Sequence, residues 1–242
     1  MIIAPGARGG PVSRNVVWLC GLAALCAGVW GWGLMVSAGA DGGAEPLPSE
    51  AALVLRVERL LSGYADGTLT YAVGRVTNHG EAPLNVLKII VPMLDKKGSA
   101  LGEATAVVLH LPVGATVPFV AEWRHEAEVR GIGGVPRTQI NPAGVPQNLP
   151  VIVATDPVPI PDADSWETGK IRLVVTNRGS VQVAATEVSA LLLDETGHVI
   201  GAAKEVVGNV LEPNKPEEVS IVWTHCAGRL VRSAEVWAQP AR

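Results

Sequence analysis

Chemistry in this chain would have to start from its five histidines. His125 and His225 each follow a tryptophan by two residues, Trp123 and Trp223, and alternate residues of a strand share a face. An imidazole beside an indole wall has the makings of a small binding spot, present twice. The same spacing also serves plain packing, with the imidazole on a backbone partner, and packing is the stronger reading. His79 falls in a turn, and His110 and His198 have no acidic or cysteine neighbour at ligand spacing. Asp156, Asp162 and Asp164 gather carboxylates, but intervening prolines and missing glycine are unlike a calcium loop. The "GIGG" at 131–134 follows no clear strand and opens no helix, so it makes a poor phosphate cradle. No G-x-S-x-G, H-E-x-x-H or Cys/His nucleophile setting occurs. Asp95 and Asp194 are 99 residues apart in matching turns and do not make a catalytic carboxylate pair. The expectation is a protein that is not an enzyme, with no catalytic residue, cofactor, metal or small-molecule substrate.

The bulk composition narrows the classes further. Lysine and arginine number 19 against 23 aspartates and glutamates, a formal charge of −4, where a nucleic-acid binder needs a basic face. Charged residues make up only 17% and hydrophobic ones 48%. Cys20 and Cys26 lie in an apolar N-terminal segment and Cys226 stands alone, so no metal or redox spacing is present. Cys226 reads as a small, partly buried residue beside a strand.

Val16 to Val36 is a run of 21 residues without a charge. As a helix rising about 1.5 Å per residue it spans about 30 Å, the thickness of a bilayer's hydrocarbon core. Trp18 near one end and Trp30 and Trp32 near the other suit the two membrane interfaces. Arg8 and Arg14 precede it while Asp41, Glu45 and Glu50 follow, which keeps residues 1–15 in the cytoplasm and sends the rest outward. Cys20, Ala24 and Gly28 form a stripe of small side chains at which a second helix can approach. The competing reading is a signal peptide cleaved after Ala40, but the apolar run exceeds the roughly 7–15 residues of such a segment. The expected location is the bacterial inner membrane, as a signal anchor.

Beyond a tether at 37–50, the chain says one thing twice. At an offset of 99, Thr77-Asn78-x-Gly80 matches Thr176-Asn177-x-Gly179, and Leu94-Asp95-x-x-Gly98 matches Leu193-Asp194-x-x-Gly197. Gly102 matches Gly201, and with one residue inserted Leu111, Trp123 and His125 match Leu211, Trp223 and His225. Each copy is rich in Val, Ile and Thr in short alternating runs bounded by Gly or Pro, which predicts strands of an all-β sandwich. "NHG" reads as a hairpin-type turn with Gly80 supplying a positive φ. In Leu-Asp-x-x-Gly the aspartate caps its own backbone two residues on, and the glycine takes the left-handed position. The predicted domains are 51–130 and 164–242. Between them lies a proline-rich linker at 131–163, with seven prolines from Pro136 to Pro161. Within the linker, "PVIVATDP" is placed as an edge strand of the second domain, its prolines guarding that edge.

These features resemble the FxLYD domain: Val-Thr-Asn-x-Gly, an apolar strand ending in an acidic turn, Gly-x-x-x-Gly, and a late Leu-x-x-Gly/Asn before a final strand. The resemblance covers about residues 64–125 and 166–238. At its name motif this chain has Val91-Pro92-Met93-Leu94-Asp95 and Ala190-Leu191-Leu192-Leu193-Asp194, keeping the final aspartate with leucine in place of tyrosine. It implies a small bacterial extracytoplasmic β-sandwich, often behind a single membrane anchor and without an assigned activity. The expected fold is therefore all-β, two tandem immunoglobulin-like or FxLYD-like sandwiches behind one N-terminal transmembrane helix. The expected role is an accessory or scaffold subunit that contacts integral-membrane partners on the periplasmic side. The alternative is a secreted or anchored binding module, an adhesin or a peptide or glycan receptor, whose exposed aromatic patch would be built from Trp166 and Trp237.

Overall fold

A computed structural model describes residues 52–64, 69–124, 129, 131–141, 149–224, 226 and 229–241. The expected anchor, with Trp18, Cys20, Ala24, Gly28, Trp30 and Trp32, lies outside the described residues. Among those described, no helix is long and apolar enough to cross a membrane. The described chain is all-β, with its strands in several sheets.

The first copy contributes β1 (Leu53–Tyr64), β2 (Leu69–Asn78), β3 (Leu84–Leu94), β4 (Ala100–Leu111), β5 (Thr116–Arg124), β6 (Gly131–Ile132) and β7 (Arg137–Ile140). The second contributes β8 (Ile152–Asp162), β9 (Ser165–Asn177), β10 (Thr186–Leu193), β11 (Val199–Val207), β12 (Pro216–Trp223) and β13 (Ser233–Pro240). In the first copy the strand order is β1-β2-β5-β4-β3-β6, with β7 also paired to β3. The β4–β5 seam, however, is a single pair, Thr105 with Glu122. The sheet turns there into two layers, and Ala72, Val76 and Phe119 from one meet Ile89, Val91 and Val108 from the other in a shared core. The second copy has the same two layers without the seam, β12-β9-β8 and β11-β10-β13, closed over Ile171, Leu173, Val188, Leu192 and Trp223.

The duplication extends to the register. Leu53 pairs with Asn78 as Ile152 pairs with Asn177, and Leu87 pairs with Val108 as Thr186 pairs with Val207. Both copies slip register just before Leu94 and Leu193, and both carry a bulge in the edge strand, at Val57/Arg59 and Thr155/Val158. The strand in "PVIVATDP" is β8, which stands in the second copy where β1 stands in the first. Earlier in the same proline-rich stretch, β6 and β7 extend the first copy's sheet along β3.

The Asn-x-Gly turns differ from the hairpin expectation. β2 pairs with β1 and β5, not with β3, so "NHG" begins a crossing from one layer to the other. Neither Gly80 nor Gly179 has a positive φ. Glycine is required there for room: a Cβ would come within 3.0 Å of Asn78 Oδ1 at Gly80, and within 2.7 Å of Pro150 at Gly179. The asparagines are the pins. Buried Asn78 donates from Nδ2 to the carbonyls of Ala82 and Leu111, and its Oδ1 accepts from Gly80 N. Asn177 makes the same three bonds, to Val181, Leu211 and Gly179. Each also accepts, at its backbone oxygen, a 2.7 Å bond from a left-handed residue, Gly114 N in one copy and Asn214 N in the other. One buried side chain thus ties the crossing to the strand-to-strand turn after β4 in the first copy, and to the corresponding turn in the second.

Removing an amide that satisfies three backbone groups leaves buried carbonyls unpaired. Asn78→Ala and Asn177→Ala should each cost about 2–4 kcal/mol in urea unfolding, whereas His79→Ala, at the exposed position beside Asn78, should cost under about 0.5 kcal/mol.

Candidate functional site

The tryptophans of the repeat are packing residues. Trp223 is buried and lies over Gly169, where a Cβ would sit 2.5 Å from its ring. Trp123 is half-buried over Gly102, where a Cβ would be 2.2 Å away. The paired His125 and His225 lie outside the described residues. Trp237 is half-buried and packs against the first copy's core. The side chain of Trp166 lies outside the described residues.

The two Leu-Asp-x-x-Gly turns share one geometry. Gly98 and Gly197 both have φ +80°, and each aspartate Oδ1 accepts from backbone amides two and four residues on. The second turn carries more. Asp194 is buried, accepts from Thr196 Oγ1 at 2.6 Å, and binds Arg229 Nη1 at 2.5 Å. His198, which the sequence placed without an acidic neighbour, has Nδ1 3.9 Å from Asp194 Oδ2. The Thr196 hydroxyl, then Arg229 and the backbone amides, hold the Asp194 carboxyl well below the usual carboxylate range, against the opposing effect of desolvation. In the first copy Lys97 stands at the Thr196 position, so that turn has no hydroxyl there.

The concentration of unusual groups is at the junction of the copies. Leu61, Leu69, Tyr71, Val73 and Val120 of the first copy bury themselves against Leu191, Leu193, Val199 and Ala202 of the second. Polar links surround this layer. Arg75 binds Glu235 through Nε (2.7 Å) and Nη2 (2.9 Å) and Glu58 through Nη1. Lys204 bridges Glu122 (3.1 Å) and Glu187 (3.5 Å) across the boundary. Burial, helped by Glu122 and opposed by Arg124, pushes the Tyr71 phenol up to about 12. Gln239 is the most specific contact. Past Thr105 the outer edge of β4 has no strand beside it among the described residues, and Gln239 takes that place, accepting from Leu109 N at 3.0 Å and donating to Val107 O at 2.9 Å. Its second amide hydrogen goes to Glu187 at 2.8 Å.

Sequence reasoning missed this junction for a physical reason. An apolar residue on the outer face of a strand looks like core, and nothing local says whose core it joins. The one available signal was that "LTYAVG" and "SALLLD" have apolar or small residues on both faces, more than a strand with one solvated face carries. Cys226 is buried, and its thiol, 3.5 Å from the Arg229 carbonyl, is pushed up by burial and by Glu167. Among the described residues no three His, Cys, Asp or Glu side chains gather as a metal site would require.

No family model and no curated protein matches this chain. Among solved structures, similarity is found to the exo-chitosanase CsxA of Amycolatopsis orientalis in complex with a PNP-β-D-glucosamine. The match has 12% identity and a TM-score of 0.24, covering 75% of this chain and 26% of that one. At that level neither the enzyme's fold nor its activity transfers.

The Asp194 turn predicts a pH dependence with a definite sign. Its pKa is lower in the folded chain than in the unfolded one, so its contribution is complete above the unfolded value of about 4 and is lost as pH falls through the lowered one. Asp194→Asn should lower Tm at neutral pH, and the gap to the parent should close as melts are taken from about pH 4 towards about pH 2. A gap constant over that range would contradict the assignment.

Proposed function

We propose that this chain is a non-enzymatic, single-pass accessory or scaffold subunit of a bacterial envelope membrane-protein complex. In this reading Val16–Val36 is the signal anchor in the inner membrane, residues 1–15 are cytoplasmic, and two tandem immunoglobulin-like, FxLYD-like sandwiches stand in the periplasm. The observation that carries it is the junction. The chain spends its apolar outer faces, Gln239 and the Arg75 and Lys204 ion pairs on locking two copies into one block. A locked block held by one end offers partners a surface of fixed shape, which is what a scaffold needs and what a flexible tether of modules lacks. The Cys20-Ala24-Gly28 stripe is the helix face assigned to partner helices.

Extraction from membranes in mild detergent tests this. The expected result is an uncleaved chain accompanied by stoichiometric integral-membrane partners, with co-purification reduced several-fold by Gly28→Leu. A soluble chain beginning at Asp41 and free of partners would overturn it in favour of a secreted binding module.

A further inference from the structure

Beside the apolar layer the two copies leave a cleft of about 820 Å³. Its walls are β1 and β2 of the first copy, with the turn between β10 and β11 and the Arg229 loop of the second. It is lined by four arginines, Arg56, Arg59, Arg75 and Arg229, with His198 at the same site. This is unusual in a chain of net charge −4. Glu58 also lines the cleft, and the carboxylates there are paired: Glu58 and Glu235 with Arg75, and Asp194 with Arg229. The arginines are not equally committed. Arg59 uses Nη1 on the Val199 carbonyl at 2.9 Å, and Arg229 uses Nη1 on Asp194. Arg56 is exposed, and its side chain has no hydrogen bond or ion pair among the described residues. His198 turns Nδ1 to the Thr196 hydroxyl at 2.6 Å.

The repeat provides an internal control on whether the fold needs these charges. The second-copy positions equivalent to Arg56, Arg59 and Arg75 are Thr155, Val158 and Val174, paired in the same register around the same bulge. The edge strand therefore forms without arginine. Arg75 has a structural task at the junction, the Arg56 side chain bonds to none of the described residues, and Arg59 is held with much of its guanidinium to spare.

We propose that this cleft binds a phosphate-bearing ligand. Guanidinium groups fixed by neighbouring bonds present planar N–H forks to phosphate oxygens without losing side-chain freedom on binding. Arg59 and Arg229, each held through Nη1, and the open Arg56 come from both copies and surround a space large enough for a phosphorylated small molecule or a lipid headgroup, while Arg75 stays bound to its two glutamates. The ligand bridges the copies, so binding and junction stability are linked.

Isothermal titration of the full-length chain in detergent, at low ionic strength, tests this with two probes. Glycerol phosphate represents a free phosphate ester, and glycerophosphoglycerol represents the diester of a lipid headgroup. Saturable binding of either is expected, and the tighter probe identifies the source. Arg56→Ala, which breaks no side-chain hydrogen bond or ion pair among the described residues, should weaken it about tenfold or more, and Arg56→Ala with Arg59→Ala should abolish it. Arg178→Ala, at an exposed position that does not line the cleft, should leave it unchanged. Absence of saturable binding to both probes, or equal weakening by Arg56→Ala and Arg178→Ala, would overturn the proposal.

Discussion

The apolar layer between the copies is the constraint on which the rest of the structure depends. Each Leu or Val fully buried there contributes on the order of 1.5–3 kcal/mol, while a partly exposed ion pair is worth roughly 0–1 kcal/mol. The nine residues of the layer therefore hold the copies together, and the Arg75 and Lys204 pairs set their orientation. Gln239 acts differently again. The open edge of β4 would otherwise bury a donor and an acceptor unpaired, and one amide satisfies both. That edge tolerates little displacement of the second copy, so a side chain in β13 keys the joint.

The joint is one-way. The outer face of β1-β2-β5 in the first copy meets the outer face of β11-β10-β13 in the second. Were the copies identical, the free face of the second would accept a third. Its residues equivalent to Leu61, Leu69, Tyr71, Val73 and Val120 are Ile160, Thr168, Lys170, Arg172 and Ser220, and the last three are exposed. Docking there would strip water from two cations without a partner for either. After duplication the inner faces were kept alike, since both cores have the same layers to fill. The outer faces diverged into a seat, a plug and a polar cap of the kind that ends repeat arrays.

How much of this was legible in the sequence follows from the same division. The repeat, the β character and the Asp-x-x-Gly turns are local, and periodicity and turn chemistry report them directly. The Asn-x-Gly turns were read for the wrong reason: glycine was credited with a positive φ, whereas the buried asparagine does the pinning and glycine makes space for it. That reading fails because a side chain reaching a carbonyl 33 residues away leaves no local pattern. The junction was hidden similarly. Leu69, Tyr71 and Val73 alternate as a buried face should, and only the fold reveals that they are buried by the other copy. The arginine cleft was missed because its arginines come from positions 56 to 229, and Arg56 and Arg59, which are near each other in β1, are too few to make a motif.

The most direct test of the central claim is hydrogen exchange by mass spectrometry on the intact chain through a urea series, following peptides of β2 and β12. If the junction makes the two copies one cooperative body, both peptides lose protection at a single midpoint, and Leu191→Glu, which places a charge in the apolar layer, splits it into two. Two separate midpoints in the unsubstituted chain would contradict the account and leave the copies as independent modules.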